Sequence, residues 1–94
     1  MQCFYVYILK CADGSYYVGH TDNLEKRMSE HNYGQSSEYT ATRLPLKLVF
    51  SQTCADRHEA LQAERQIKQW SRKKKEALIQ ENWDLLKLLS KKNF

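Results

Sequence analysis

Arg27, His31, Glu64 and the pair Tyr7 and Tyr17 stand where packed elements would ordinarily carry apolar side chains. One guanidinium, one imidazole, one carboxylate and two phenols together suit the hydrolysis of a phosphodiester. A carboxylate can anchor one Mg²⁺ (or Mn²⁺) while water and substrate oxygens fill its remaining positions. The ion polarises a phosphoryl oxygen and stabilises the charge that develops there. A guanidinium matches a phosphate with two parallel hydrogen bonds. A phenol or an imidazole can move the proton of the attacking water. Taken singly, each residue has an ordinary reading. Tyr7 and Tyr17 suit strand packing, and Arg27 a solvated helix face. His31 suits the negative end of a helix, and Glu64 a pair with Lys68 at i+4. Only the coincidence points to chemistry.

Spacing indicates the elements that must position these groups. Phe4 to Lys10 is rich in aromatic and β-branched residues and is predicted as a strand. Ala12-Asp13-Gly14 is a turn signal, and Tyr16 to Gly19 is the returning strand. Two hairpin registers compete. A two-residue Asp-Gly loop pairs Lys10 with Tyr17 and puts Tyr7 and Tyr17 on opposite faces. A three-residue loop with Gly14 left-handed pairs Leu9 with Tyr17 and Tyr7 with Gly19, so that these four share one face. A one-residue shift turns every side chain over, and spacing alone does not choose.

Asp22-x-x-Glu25 is a capping-box-like start and predicts a helix from Asn23 to about Asn32. Leu24, Arg27, Met28 and His31 fall on one stripe of it. Tyr33 to Pro45 is polar and turn-rich. A loop that long in a small domain is often functional. Leu46 to Cys54 is predicted as a third strand, with Leu48, Val49 and Phe50 at its apolar centre. Asp56-x-x-Glu59 starts a helix running to about Trp70. Its inward set is Ala60, Ala63, Ile67 and Trp70, with Leu61 at the margin, and Glu64 lies on or beside that face. Ser71 can cap a further helix from Arg72, carrying Ala77, Leu78 and Ile79, and Trp83 to Leu89 can dock as a terminal helix. The order β-β-α-β-α-α, with that last helix after it, predicts an α+β fold.

Composition sets the outer bounds. Ninety-four residues make one domain, because a chain this short buries too little surface for two cores. Hydrophobic residues at 41% and charged residues at 28% exclude a disordered chain, and Gly 3 and Pro 1 exclude linkers and low-complexity tracts. The longest apolar run, Cys3 to Leu9, is too short to span a membrane or to form a signal-peptide core. Cys3, Cys11 and Cys54 have no CxxC spacing, which argues for free thiols in a reducing compartment. A cytoplasmic location is therefore expected. The formal charge of +4 favours a polyanion partner only weakly. Its distribution says more: Arg72, Lys73, Lys74 and Lys75 are consecutive, and Lys91 and Lys92 form a second cluster.

Tyr5-Val6-Tyr7, nine intervening residues, and Tyr17-Val18-Gly19 together resemble the signature of the GIY-YIG nuclease superfamily. Tyr5 stands where the first triplet has glycine, and Val6 and Val18 replace isoleucine. Arg27, eight residues after Gly19, lies in Asn23-Leu24-Glu25-Lys26-Arg27-Met28, which looks like the family's arginine helix. Glu64 in Ala63-Glu64-Arg65-Gln66-Ile67-Lys68 matches the metal-binding glutamate, and His31 in Ser29-Glu30-His31-Asn32 resembles the histidine of several branches. Tyr39 to Pro45 and Trp70 to Lys75 look like the small, stand-alone bacterial branch. The resemblance covers residues 4 to about 83.

The resemblance implies a three-stranded antiparallel sheet flanked by helices, and metal-dependent cleavage of DNA by a water nucleophile in repair or recombination. Tyr7 would take the proton of the water and Tyr17 would position phosphate. That favours the three-residue hairpin loop. Gly19 would permit close approach of the substrate, Arg27 would hold the scissile phosphate, and Glu64 would hold Mg²⁺ or Mn²⁺. Many members carry an asparagine after the glutamate, and Asn82 is the one candidate. Arg72, Lys74 and Lys75 would track the DNA backbone without reading sequence. So short a chain leaves little room for a base-reading module, so structured or branched DNA is the expected substrate. A partner protein or self-association would then supply targeting. The alternative is a non-catalytic nucleic-acid-binding module that keeps the nuclease fold. A third reading is an interaction domain presenting Trp83, Leu85, Leu86, Leu88 and Leu89.

Overall fold

The structure, a computed structural model, describes residues 3–34 and 38–90. Lys91 and Lys92 lie outside the described residues. β1 (Phe4–Lys10) is the centre of a three-stranded antiparallel sheet, with β2 (Tyr16–Thr21) along one edge and β3 (Lys47–Cys54) along the other. Val6, Tyr7, Ile8 and Leu9 are all 0% exposed, so the central strand is covered on both faces. Burying each such side chain contributes about 1.5–3 kcal/mol.

The hairpin adopts the three-residue loop. Leu9 pairs with Tyr17 and Tyr7 with Gly19, and Gly14 takes a positive φ of 87°. An L side chain is disfavoured at that angle, which explains the glycine. Tyr7, Leu9, Tyr17 and Gly19 therefore share one face, while Val6, Ile8 and Val18 share the other. Against β3 the register shifts between Ile8, opposite Phe50, and Leu9, opposite Leu48. This irregularity leaves Val49 as the extra residue.

The first face is covered by α1 (Leu24–Asn32) and by α2 (Glu38–Ala41), a single turn inside the segment predicted as loop. The second face packs on α3 (Arg57–Lys68) and α4 (Arg72–Ile79), where Val6, Ile8, Val18, Cys54, Ala60, Ile67 and Leu78 form the core. α5 (Trp83–Ser90) packs on α4 and leaves Trp83 and Leu88 exposed. No helix among the described residues is long and apolar enough to cross a membrane.

The helix starts are set by side-chain caps. Asp56 accepts from the Glu59 amide and Ser71 from the Lys74 amide, as the sequence predicts. At α1 the cap is Asn23, accepting from Lys26 N, one residue later than the predicted Asp22. Thr21 takes part there, since its hydroxyl accepts from Asn23 N. α3 ends at Lys68 rather than Trp70, because Ser71 starts a new helix almost at once. Trp70, in the junction, packs against the core.

Candidate active site

Tyr7 is the residue around which the site is built. It sits at the middle of the central strand, and its hydroxyl lies 3.0 Å from His31 Nε2 at the end of α1. His31 Nδ1 lies 2.9 Å from Thr40 Oγ1 on α2. The order phenol, imidazole, hydroxyl is thus a continuous buried chain across three elements. The Tyr17 ring stands edge-on to the same imidazole, with centroids 5.3 Å apart. Tyr17 also lies against the Tyr39 ring, over which Arg43 is stacked.

Gly19 has a role that the sequence does not suggest. A Cβ built there would lie 2.5 Å from Tyr7 Oη, 2.6 Å from Tyr7 Cζ and 3.2 Å from Tyr17 Cε2. The resemblance assigns this glycine to the approach of substrate. In the structure the space above it belongs to the Tyr7 phenol, which crosses the edge strand there.

The charges around this chain are ordered. Burial, joined by the neighbouring Tyr17 phenol, pushes Tyr7 well above its ordinary value; the charge of the Arg27 guanidinium opposes this. Glu64 adds to the upward push. Burial and the charge of Arg27 hold His31 below the usual imidazole range, with Glu30 offsetting part. The phenol is therefore protonated and the imidazole neutral at neutral pH. Arg27 Nε lies 3.2 Å from Glu30 Oε1 in an ion pair, and this buried nitrogen has no hydrogen-bond partner among the described residues.

Glu64 projects from α3 toward His20 of β2, its side chain 13% exposed. Its Oε1 lies 2.9 Å from His20 Nδ1 and its Oε2 lies 3.5 Å from Lys68 Nζ. Among the described residues, no three His, Cys, Asp or Glu side chains cluster as a closed metal site. What is present is one oriented carboxylate beside one imidazole nitrogen. That donor set fits a divalent ion that takes its other ligands from water and substrate.

The remaining expectations fall elsewhere. Asn82 caps α5, its Oδ1 accepting from the Leu85 amide 3.2 Å away. Arg72 donates from Nη1 to the Gly14 carbonyl at 2.7 Å and stacks over the Tyr16 ring. Lys74 lies over the Trp70 ring, and burial lowers the pKa of Lys75. The basic run is thus partly consumed by intramolecular contacts. His20 and Thr40 are the participants that sequence reasoning missed. His20 follows the second triplet directly and was readable as a titratable neighbour of Gly19. Thr40 carries no such signal.

Sheet order, paired tyrosines, arginine helix and α3 carboxylate together define a class. The family model of the GIY-YIG catalytic domain matches residues 3–77, and the chain belongs to the GIY-YIG family, whose catalytic domains are nucleases. It is 44% identical over 80 residues to a UPF0213 protein of Streptococcus pneumoniae serotype 4, covering 85% of this chain and 81% of that protein. A UPF0213 protein of Staphylococcus saprophyticus is 46% identical over 81 residues, 86% of this chain and 99% of that protein. The solution structure of EF2693 from E. faecalis matches with a TM-score of 0.61 at 36% identity, covering 90% of each chain.

Proposed function

We propose that this chain is a metal-dependent endonuclease that hydrolyses DNA phosphodiester bonds with a tyrosine-activated water, acting on structured DNA in repair or recombination. The observation that carries this reading is the fully buried Tyr7 phenol, bonded to a neutral His31 and passing over Gly19 beside Arg27.

A phenol this far above its ordinary value is a poor base alone. It works as a relay: Tyr7 donates to His31 Nε2 while its oxygen accepts the proton of the water. In that tautomer His31 Nδ1–H donates to Thr40 Oγ1, which fixes the ring. Arg27 holds the scissile phosphate, and its Nε, ion-paired with Glu30 but without a hydrogen-bond acceptor, is free to donate to it. The phosphate also cancels the positive charge that depresses His31, so substrate binding makes the imidazole a better proton acceptor. Tyr17 positions the phosphate from the adjacent strand. Glu64, with His20 beside it, would hold Mg²⁺ or Mn²⁺, which supplies electrostatic stabilisation of the phosphoryl oxygens. We place the reaction in the cytoplasm, with targeting supplied by a partner protein or a second copy.

The binding-module alternative has less support. Arg72 and Lys74 are engaged within the protein, and a carboxylate at the site repels phosphate unless a cation screens it. The test is a nicking assay on supercoiled plasmid and labelled flap and splayed-arm DNA, with and without divalent metal. Cleavage by the native chain but by neither Tyr7→Phe nor Glu64→Ala is the expected result. Salt-sensitive binding with no cleavage of any substrate would overturn the reading in favour of the binding module.

A further inference from the structure

One stripe of α3 runs from Arg57 through Ala60 and Glu64 to Ile67 and Lys68. Arg57 and Glu64 are two turns apart, about 10 Å along the axis, on the same side. Ala60 and Ile67 on that stripe are buried, which fixes its orientation against the sheet. Arg57 therefore stands beyond the carboxylate, at the far end of the β2 edge. There it opens onto a cleft of about 370 Å³ lined by Phe4, His20, Thr21, Asp22, Arg27 and Arg57.

The cleft has three properties that suit a nucleotide. It shares Arg27 with the site described above. It carries a second guanidinium, and among the described residues Arg57 has no ion-pair or hydrogen-bond partner. Arg27 is already ion-paired with Glu30, so Arg57 is the guanidinium that the cleft offers to a ligand's phosphate. Its wall also includes the half-buried Phe4, an aromatic face on which a base stacks. The volume is that of a single small-ligand site, so it takes one nucleotide and not a duplex.

We propose that this cleft is the subsite for the nucleotide adjoining the scissile phosphate. Arg57 holds that nucleotide's phosphate and Phe4 its base. The inference rests on the endonuclease reading and sharpens it: the base must be unpaired to enter. Cleavage then falls where a strand is already open, at a flap, an end or a nick. His20 links the two parts, because the residue that meets Glu64 through Nδ1 also lines this cleft.

The experiment uses flap DNA in which the phosphates around the cut are replaced one at a time by neutral methylphosphonates. Binding is measured in EDTA, and cleavage of unmodified flap in Mg²⁺. For the native chain, neutralising the adjoining phosphate is expected to weaken binding roughly tenfold, the size of one charge-assisted contact. In Arg57→Gln the binding of unmodified DNA falls by that amount, and neutralising that phosphate costs nothing more. The slope of log affinity against log salt falls by about 0.7, one single-strand phosphate. Removing the adjoining base weakens the native chain but not Phe4→Leu. Arg65→Gln, exposed on the same helix, changes none of these. An Arg57→Gln protein with native affinity and slope would overturn the proposal, as would equal sensitivity to every phosphate. If Glu64-dependent cleavage persists in either case, the endonuclease reading stands without this subsite. If the native chain neither binds nor cuts any of the DNAs, both fall.

Discussion

The Tyr7 hydroxyl lies 2.5 Å from the point at which a side chain on residue 19 would begin. The contact joins the central strand to its edge neighbour through a ring that is fully buried. Such a ring cannot swing aside as a long exposed side chain would. Gly19→Ala is therefore expected to destabilise the fold by about 1–3 kcal/mol through overpacking, and to abolish cleavage by displacing the phenol. Thermal melts and the nicking assay read the two effects. A variant with native melting temperature and native activity would mean that the ring has room it does not show.

Tyr7→Phe and Thr40→Val separate the two ends of the hydrogen-bonded chain. The first removes the hydroxyl proposed to meet water, and cleavage is expected to fall by about 10²–10⁴ with DNA affinity retained. The second keeps the shape but leaves His31 Nδ1 unpaired, at a stability cost of about 1–3 kcal/mol. It also frees the ring tautomer, so the single-turnover rate falls while binding does not. A Thr40→Val protein that is destabilised yet cleaves at the native rate would confine Thr40 to a packing role.

The depressed pKa of His31 has a consequence for stability. Its ordinary value is 6.5, and burial and Arg27 lower it in the folded state. Between the folded value and 6.5 the unfolded chain binds more protons at this site than the folded chain does. Stability is therefore full above about pH 6.5 and falls as the pH drops toward the folded value. Melting temperatures measured downward from about pH 8 are expected to be flat and then to decline. His31→Gln removes this contribution. If the variant and the native chain decline in parallel, the acid sensitivity belongs to carboxylates and not to this imidazole.

Much of this arrangement was legible in the sequence, for identifiable reasons. The three strands announce themselves by aromatic and β-branched runs, and the caps Asp56 and Ser71 by their position before periodic segments. Arg27 and His31 were visible as polar residues on an otherwise inward stripe. The hairpin register was not decidable from spacing, since both loops are common; the structure has Gly14 with positive φ in the three-residue form. α2 was missed because one helical turn has no periodicity to detect, and Thr40 was lost with it. The hydrogen bond of Arg72 was also hidden, because its acceptor Gly14 lies in the hairpin loop 58 residues away.

Glu64 offers a test of the metal without relying on rate alone. Its carboxylate is aligned by His20 at 2.9 Å and Lys68 at 3.5 Å. Chelation with EDTA is expected to stop cleavage by the native chain. Glu64→Gln keeps the shape and removes the charge, so it should bind DNA in EDTA at least as tightly as the native chain while losing its response to Mn²⁺ by titration calorimetry. Unchanged Mn²⁺ binding in Glu64→Gln would place the ion elsewhere.

Arg72 separates stability from binding most directly. Its Nη1 donates to Gly14 O, its guanidinium lies 4.7 Å from the Tyr16 ring centroid, and its Nε stands 3.4 Å from Glu76. Tyr16 Oη in turn donates to Glu76 Oε2 at 3.1 Å. These contacts clamp the hairpin loop to the start of α4. The ion pair is half exposed and contributes little. The hydrogen bond to the carbonyl and the stacking carry the effect, about 1–2 kcal/mol together. Arg72→Ala is expected to lower stability by that amount and to change DNA affinity less than Arg57→Gln does. Arg72→Lys restores the charge but not the planar fork, so it should recover affinity without recovering stability. Lys73, exposed and without a partner among the described residues, gives the opposite pattern on substitution: native stability and a shallower salt dependence. If Arg72→Ala melts like the native chain and loses most of its DNA affinity, the clamp opens in solution and the basic run serves the substrate after all.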